Sequence, residues 1–240
     1  LTRSRSLVSA RLSPVEDLPI RQIIGIGRNY AEHAKEQAAA VPTRPMVFHK
    51  SVNSIALDGE EIVVPKVCQD REQVDFEAEL AVIIGECPDG SPVRDVSEAD
   101  ALRCVLGYTC GNDVSARWWQ KEGSGGQFCR GKSFDTFCPL GPEIVPPGRV
   151  PDPQNLRLIC RVNGAVMQDG TTAEMIFPVA NLIADLSRGT TLLPGTVIMT
   201  GTPSGVGMAR TPPVWLQDGD VVEVEIESIG VLRNRVRFET

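Results

Sequence analysis

The chain has 240 residues, with 24 Lys and Arg against 31 Asp and Glu, a formal net charge of −7 and 42% hydrophobic residues. That is enough chain for a sizeable core, and an acidic balance without a dense basic run argues against nucleic acid as a partner. The longest apolar stretches, such as Leu80 to Gly85, fall far short of the roughly 18 residues a membrane-spanning helix needs, so no membrane partner is expected.

Residues 1–19 read as an N-terminal arm. From Thr2 to Ser13 the arm is rich in Ser and Arg and free of acids, like the tail of an organelle transit peptide. A solvated arm has the same composition, so a cytoplasmic and a mitochondrial location both stay open. The remainder, 20–240, reads as one domain. Ile23 to Gly27 is a short buried strand, and Asn29 to Ala40 a helix rich in Ala, Glu and Lys, ended by Pro42 and Pro45. Met46 to Phe48, Ile62 to Pro65 and Val74 to Gly85 read as strands. Val96 to Val105 is helical, with Ser97 as N-cap and Glu98 and Asp100 in the first turn. Gly123 to Gly126 is a flexible loop. Leu156 to Gln168 forms a hairpin turning at Gly164. A helix from Pro178 to Ser187 and a turn from Leu192 to Gly195 follow. Val197 to Thr200, Val221 to Ile226 and Val231 to Phe238 are the late strands. Strands outnumber helices and show no regular β-α alternation, which predicts a β-rich α+β domain.

The 7 cysteines are odd in number, and none stands in a CxxC pair, which excludes zinc-ribbon and thioredoxin-like readings. Seven reduced, mostly buried thiols are expected. Two glycine-rich stretches, Gly25 to Tyr30 and Gly201 to Gly207, lack the third glycine of a dinucleotide fingerprint and the Gly-Lys-Ser/Thr of a P-loop. Both are read as tight turns that bring backbone close to a small anion.

The most informative segment runs from Val74 to Ile84. Alternation on a strand puts Phe76, Ala78, Leu80 and Val82 on an apolar face and Asp75, Glu77 and Glu79 on the other, beside Ala81 and Ile83. Carboxylates crowded near a hydrophobic interior repel each other and lose hydration. A hard divalent cation relieves both costs, and oxygen-only ligands point to Mg²⁺, Mn²⁺ or Ca²⁺. An exposed acidic face has the same spacing. Asp113, after the apolar Val105 to Cys110, either completes a three-carboxylate site or caps a helix. His33 and Glu36, at i and i+3, share a helix face, where a carboxylate can orient an imidazole as a base. A surface pair looks the same.

Gly27 to Glu36, Val74 to Gly85, Gly107-Tyr108 through Arg117, Lys132 to Asp135 and Thr200 to Pro203, in this order, resemble the fumarylacetoacetate hydrolase family, in particular its small FAH-domain-containing branch. The likeness covers roughly residues 20 to 238. It implies a rolled, distorted, barrel-like mixed sheet with a few peripheral helices, a homodimer, and a Mg²⁺ or Mn²⁺ site whose ligands fall on Glu77, Glu79 and Asp113. It places catalytic roles on His33 and Glu36, carried by a helical lid, and on Lys132. It places substrate contacts on Arg28, Arg117, Gln120 and Thr202. The implied substrates are short 2-keto or 2,4-dioxo acids, with the metal stabilising an enolate. Cleavage of a C–C bond, by acylpyruvate hydrolysis or oxaloacetate decarboxylation, is the activity favoured by the intact His33, Glu36 and Lys132 set. A keto–enol tautomerase is the alternative, and a catalytically silent metal- and anion-binding homologue a lesser one. Thr171 to Met175 departs from the Asn-Thr-Ser-Asp-Met-like run of many relatives, at a loop placed to shape the pocket.

Overall fold

A computed structural model describes residues 19–36 and 40–240 of the chain. The expected arm therefore lies almost wholly outside the described residues, as does the end of the expected Asn29 to Ala40 helix. The strands are β1 (Gln22–Gly27), β2 (Met46–Lys50), β3 (Ile55–Leu57), β4 (Glu61–Val64), β5 (Val74–Asp75), β6 (Ala78–Ile84) and β7 (Val105–Asn112). They continue with β8 (Ser115–Ala116), β9 (Cys138–Val145), β10 (Arg157–Val162), β11 (Ala165–Thr171), β12 (Thr196–Met199), β13 (Val221–Ile226) and β14 (Gly230–Phe238). Among the described residues five short α-helices lie between them: α1 (Ala31–Glu36), α2 (Glu98–Ala101), α3 (Arg117–Lys121), α4 (Phe128–Lys132) and α5 (Val179–Ser187).

A seven-stranded mixed sheet has the order β2-β1-β12-β6-β7-β9-β3, and a five-stranded sheet the order β11-β10-β13-β14-β4. The two pack through β6, β7 and β9 against β10, β13 and β14. The main core fills that interface, where Leu80, Val82 and Ile84 meet Leu158, Cys160, Val224, Leu232 and Val236. Ala81 and Ile83, on the other face of β6, sit in a second cluster with Ile23, Leu140, Val197 and Met199. β6 is thus buried on both faces, which is why it reads as an almost unbroken apolar run. The strand-rich α+β expectation is met.

Local chemistry explains several elements. Asn163 and Gly164 both have positive φ, 51° and 80°, at the β10–β11 hairpin turn, the backbone that a two-residue Asn-Gly connection supplies. The Ser97 side chain caps α2 by accepting from the Asp100 amide, but the helix stops at Ala101 and passes through a 3₁₀ turn into β7. The expected continuous strand from Val74 to Gly85 is broken at Phe76-Glu77. The Asp75 side chain accepts from the Phe76 amide at 2.9 Å, and the Asn112 side chain takes the Glu77 amide at 3.1 Å. All seven cysteines are free thiols, and burial pushes Cys68, Cys110 and Cys138 up to about 12, too high for a nucleophilic thiolate at neutral pH.

α3 and α4 touch backbone to backbone at Gly131, where a Cβ would overlap the Gln120 amide nitrogen. Gly131→Ala therefore forces apart the two helices that carry Arg117, Gln120 and Lys132. An overpacked contact of this kind costs about 1–3 kcal/mol, readable as a lower urea midpoint with the far-UV spectrum retained. An unchanged midpoint would contradict this packing.

Candidate active site

The site grows from the β6–β7 register. Ala78 pairs with Asn112 and Glu79 with Gly111, and the Asp113 amide donates to the Glu77 carbonyl at 2.8 Å. Glu77, Glu79 and Asp113 therefore converge although they are 34 residues apart or more in part of the chain. One carboxylate oxygen from each lies within 4.8 Å of the others, and all three residues are buried. Asp75, expected on the same acidic face, turns away to hold Arg117.

Three buried cations face these acids. Lys132 Nζ donates to Glu77 Oε2 at 2.7 Å and to Asp113 Oδ2 at 2.5 Å. Arg117 pairs with Asp75 at 2.7 Å and with Glu77 Oε1 at 2.6 Å. Lys50 Nζ donates to Asp113 Oδ1 at 2.5 Å and to the Phe137 carbonyl at 2.9 Å. Burial alone would raise Glu77, but Lys132 and Arg117 outweigh it and hold its carboxyl well below the usual range. Glu79 goes the other way. Burial, then the charges of Asp113 and Glu77, raise it well above the ordinary value. Among the described residues no Lys or Arg pairs with Glu79, and its hydrogen-bond donor is the Gly201 amide at 2.8 Å. A divalent cation would relieve the repulsion at a buried carboxylate crowded by two others and lacking a cation, and the three acids could hold one. Their all-oxygen donors suit Mg²⁺ or Mn²⁺.

Next to the cluster is a cavity of about 80 Å³ lined by Arg28, His33, Phe48, Glu77, Arg117, Gln120, Lys121, Phe128, Lys132 and Thr202, among others. A larger surface hollow of about 460 Å³, at Cys87, Arg94 and Asp95, shares no residue with it. Size does not mark the site; converging charge does. His33 is 3% exposed, and its Nδ1 meets Glu36 Oε1 at 2.6 Å. The other Glu36 oxygen accepts from the Gly205 amide at 2.9 Å. α1 is thereby pinned over the cavity on the Gly201 to Gly207 loop.

That loop meets carboxylates of the chain itself. The amides of Gly201, Gly205 and Gly207 donate to Glu79, Glu36 and Asp75 respectively. Gly201 and Gly205 have φ of 97° and 102°, so a side chain at either would be strained. Thr202 lines the cavity, yet its hydroxyl donates to the Ala78 carbonyl at 2.8 Å and accepts from Gln168 at 2.7 Å. Arg117, with its bonds to Asp75, Glu77 and Gln120 Oε1, is likewise committed within the protein.

Sequence reasoning gave Lys50 no role. It follows Phe48 by two on β2, and both are buried while Val47 and His49 are exposed. The inward direction of a lysine between an exposed histidine and an exposed serine is not visible in composition or hydropathy. Asn29 was also missed. Its side chain bonds the Thr200 carbonyl at 2.8 Å and both the carbonyl and amide of Phe177, tying the start of α1 to the floor of the site.

The ion-pair lattice makes Lys132 a structural as well as a chemical residue. Lys132→Met leaves Glu77 and Asp113 buried and short of a cation, and losing one partner of such a pair costs about 3–5 kcal/mol. Urea melts of metal-free protein should show a loss of that size, partly recovered by Mn²⁺. A midpoint equal to wild type would show that these pairs carry no weight.

The comparisons with known proteins agree with this geometry. A family model described as fumarylacetoacetate (FAA) hydrolase C-terminal matches residues 22–237. Human mitochondrial oxaloacetate tautomerase FAHD2A is 46% identical over 215 residues, 90% of this chain and 66% of the human protein. The chain thus spans just under two thirds of that relative's length. A fumarylacetoacetate hydrolase domain-containing protein 2 homolog of Dictyostelium discoideum is 44% identical over 245 residues, covering 96% of this chain and 78% of its own. Among solved structures, fumarylacetoacetate hydrolase from Exiguobacterium antarcticum superposes with a TM-score of 0.81 at 44% identity, over 92% of this chain and 76% of that one. The 5-carboxymethyl-2-hydroxymuconate delta-isomerase of Mycobacterium smegmatis does so with a TM-score of 0.78 at 41% identity, over 92% and 81%. With its fold and nearly its whole length matched, the chain belongs to the fumarylacetoacetate hydrolase family.

Proposed function

We propose that the chain is a Mg²⁺- or Mn²⁺-dependent enzyme of short 2-keto acids that works on the proton at C3, interconverting the keto and enol forms of an oxaloacetate-like substrate. The observation that carries this reading is the meeting, at one cavity, of Glu77 from the acid cluster, the Glu36-held His33 ring and Lys132. The tautomerase names of the relatives favour proton transfer over the bond cleavage expected from the residue set alone. The proposal takes 20–240 as one catalytic unit, 1–19 as an arm, and a homodimer as the assembly. The relatives' mitochondrial names favour the mitochondrial over the cytoplasmic location.

A divalent ion held by Glu77, Glu79 and Asp113 would supply Lewis-acid stabilisation of charge building on a substrate oxygen. The chain's own residues supply the rest. Glu36 fixes the imidazole through Nδ1, so in the keto-to-enol direction His33 takes the proton from C3 and delivers it to the enolate oxygen, and the reverse reaction moves it back. Lys132 has two of its three N–H groups on Glu77 and Asp113, and the third donates to a substrate oxygen in the cavity. Gln120 and Thr202 shape the polar wall, while Ile26, Phe48 and Phe128 keep the opposite side dry. α1 acts as the lid, and its opening requires Glu36 to leave the Gly205 amide.

Cleavage is the second reading, favoured by the His33–Glu36 pair itself, which is equally suited to activating a water for acylpyruvate hydrolysis. Oxaloacetate decarboxylation belongs to the same reading. Following enol absorbance and pyruvate release together, with oxaloacetate and Mg²⁺, separates them. The expected result is accelerated loss of enol without pyruvate, slowed about 10²–10⁴-fold in Glu36→Gln, the usual worth of general acid–base catalysis. Pyruvate released in step with substrate loss would replace tautomerisation by cleavage. No acceleration of either process would leave only the silent-homologue reading.

A further inference from the structure

Asp75 does not line the cavity, yet it is completely buried behind it and richly bonded. Its Oδ1 accepts from the amides of Phe76 at 2.9 Å and Gly207 at 2.7 Å. Its Oδ2 accepts from the Met208 amide at 3.0 Å and from Arg117 Nε and Nη2 at 2.8 and 2.7 Å. Only glycine fits at 207, where a Cβ would stand 2.6 Å from Asp75 Oδ1. Arg117 and Met208 both line the cavity, so one carboxylate fixes two parts of its wall from the rear. The rest of the Arg117 guanidinium is aimed forward, with Nη1 2.6 Å from Glu77 Oε1 and 3.0 Å from Gln120 Oε1.

Formal charge shows what this arrangement does. Glu77, Glu79 and Asp113 face the cations Lys50, Lys132 and Arg117, acid for cation, so on their own they offer a divalent ion no net charge. The ion pairs of Lys50 and Lys132 are all with the cluster acids, whereas Arg117 has a partner outside the cluster, Asp75. A buried guanidinium left to Glu77 alone would compete for its Oε1 and repel an incoming cation. We propose that Asp75 is a positioning residue for the acid cluster: it offsets the charge of Arg117 while aiming Nη1 at Glu77, so that Glu77 is held in place and still free to ligate a divalent ion. Asp75 and Arg117 then act on the cluster as one neutral unit. This rests on the reading of Glu77, Glu79 and Asp113 as a divalent-cation site and names what keeps that site anionic.

Calorimetric titration of metal-free protein with Mn²⁺ tests this in a double-mutant cycle of Asp75→Asn and Arg117→Gln. Asp75→Asn is expected to bind Mn²⁺ about tenfold more weakly than wild type, within the range of couplings inside one ion-pair network. Arg117→Gln is expected to bind it more tightly, because Glu77 loses a competitor while Asp75 keeps its charge. The double variant should return to within about threefold of wild type, which a residue needed only for packing would not do. Arg117→Gln leaves Asp75 its three amide donors, so it folds even if Asp75→Asn does not. Unchanged Mn²⁺ affinity in Asp75→Asn, unchanged or weaker affinity in Arg117→Gln, or a double variant as weak as Asp75→Asn overturns the role of Asp75 and leaves the metal site standing. Absence of Mn²⁺ binding by wild type overturns both.

Discussion

Glu79 sets the terms for the rest of the structure. Its carboxyl is 1% exposed, faces Glu77 and Asp113, and has a backbone amide where its neighbours have lysine or arginine. An arrangement of this kind is expensive in a protein interior. The surrounding chain is organised to tolerate it. Lys50 comes from an edge strand, Lys132 and Arg117 from two short helices in backbone contact, and Asp75 locks Arg117 in place. Each cation is bonded to at least two groups, so the lattice is fixed by geometry as well as by charge.

The glycine-rich loop from Gly201 to Gly207 is the second half of the same device. Its amides reach the carboxylates of Glu79, Glu36 and Asp75, which belong respectively to the acid cluster, helix α1 and the strand that orients Arg117. One loop thus links the acid cluster, the helix that carries His33 and the Arg117 guanidinium. Neutral donors of this sort hold carboxylates without adding a competing full charge. The Glu36 bond is the more accessible of these, because Glu36 is part-exposed whereas Asp75 is buried completely.

Much of this was legible in the sequence, and the limits have physical causes. The hairpin at Asn163-Gly164, the α5 helix and the late strands follow from turn chemistry and periodicity. The three clustered acids follow from alternation along the Val74 to Ile84 segment and from Asp113 at a strand end. α3 and α4 have five residues each, too few for a 3.6-residue repeat to declare itself. β9 contains two prolines and a glycine, which mask its strand pattern. Lys50 and the role of Asp75 are set by which face of the chain turns inward, a tertiary choice that alternation alone does not fix. The anion expected at the Gly201 to Gly207 turn proved to be the protein's own carboxylates, whereas Gly25 and Gly27, also expected in a turn, lie in β1 paired with Phe48 and Met46, because sequence shows a receptive amide but not what the fold brings to it.

The central claim is that Glu77, Glu79 and Asp113 form one divalent-cation site centred on the carboxylate that lacks a cation. Electron paramagnetic resonance of free Mn²⁺ during titration with wild-type and Glu79→Gln protein tests it directly. The account predicts one Mn²⁺ bound per chain by wild type, and affinity reduced at least tenfold in a folded Glu79→Gln variant. Equal binding by the two proteins, or none by wild type, would contradict it.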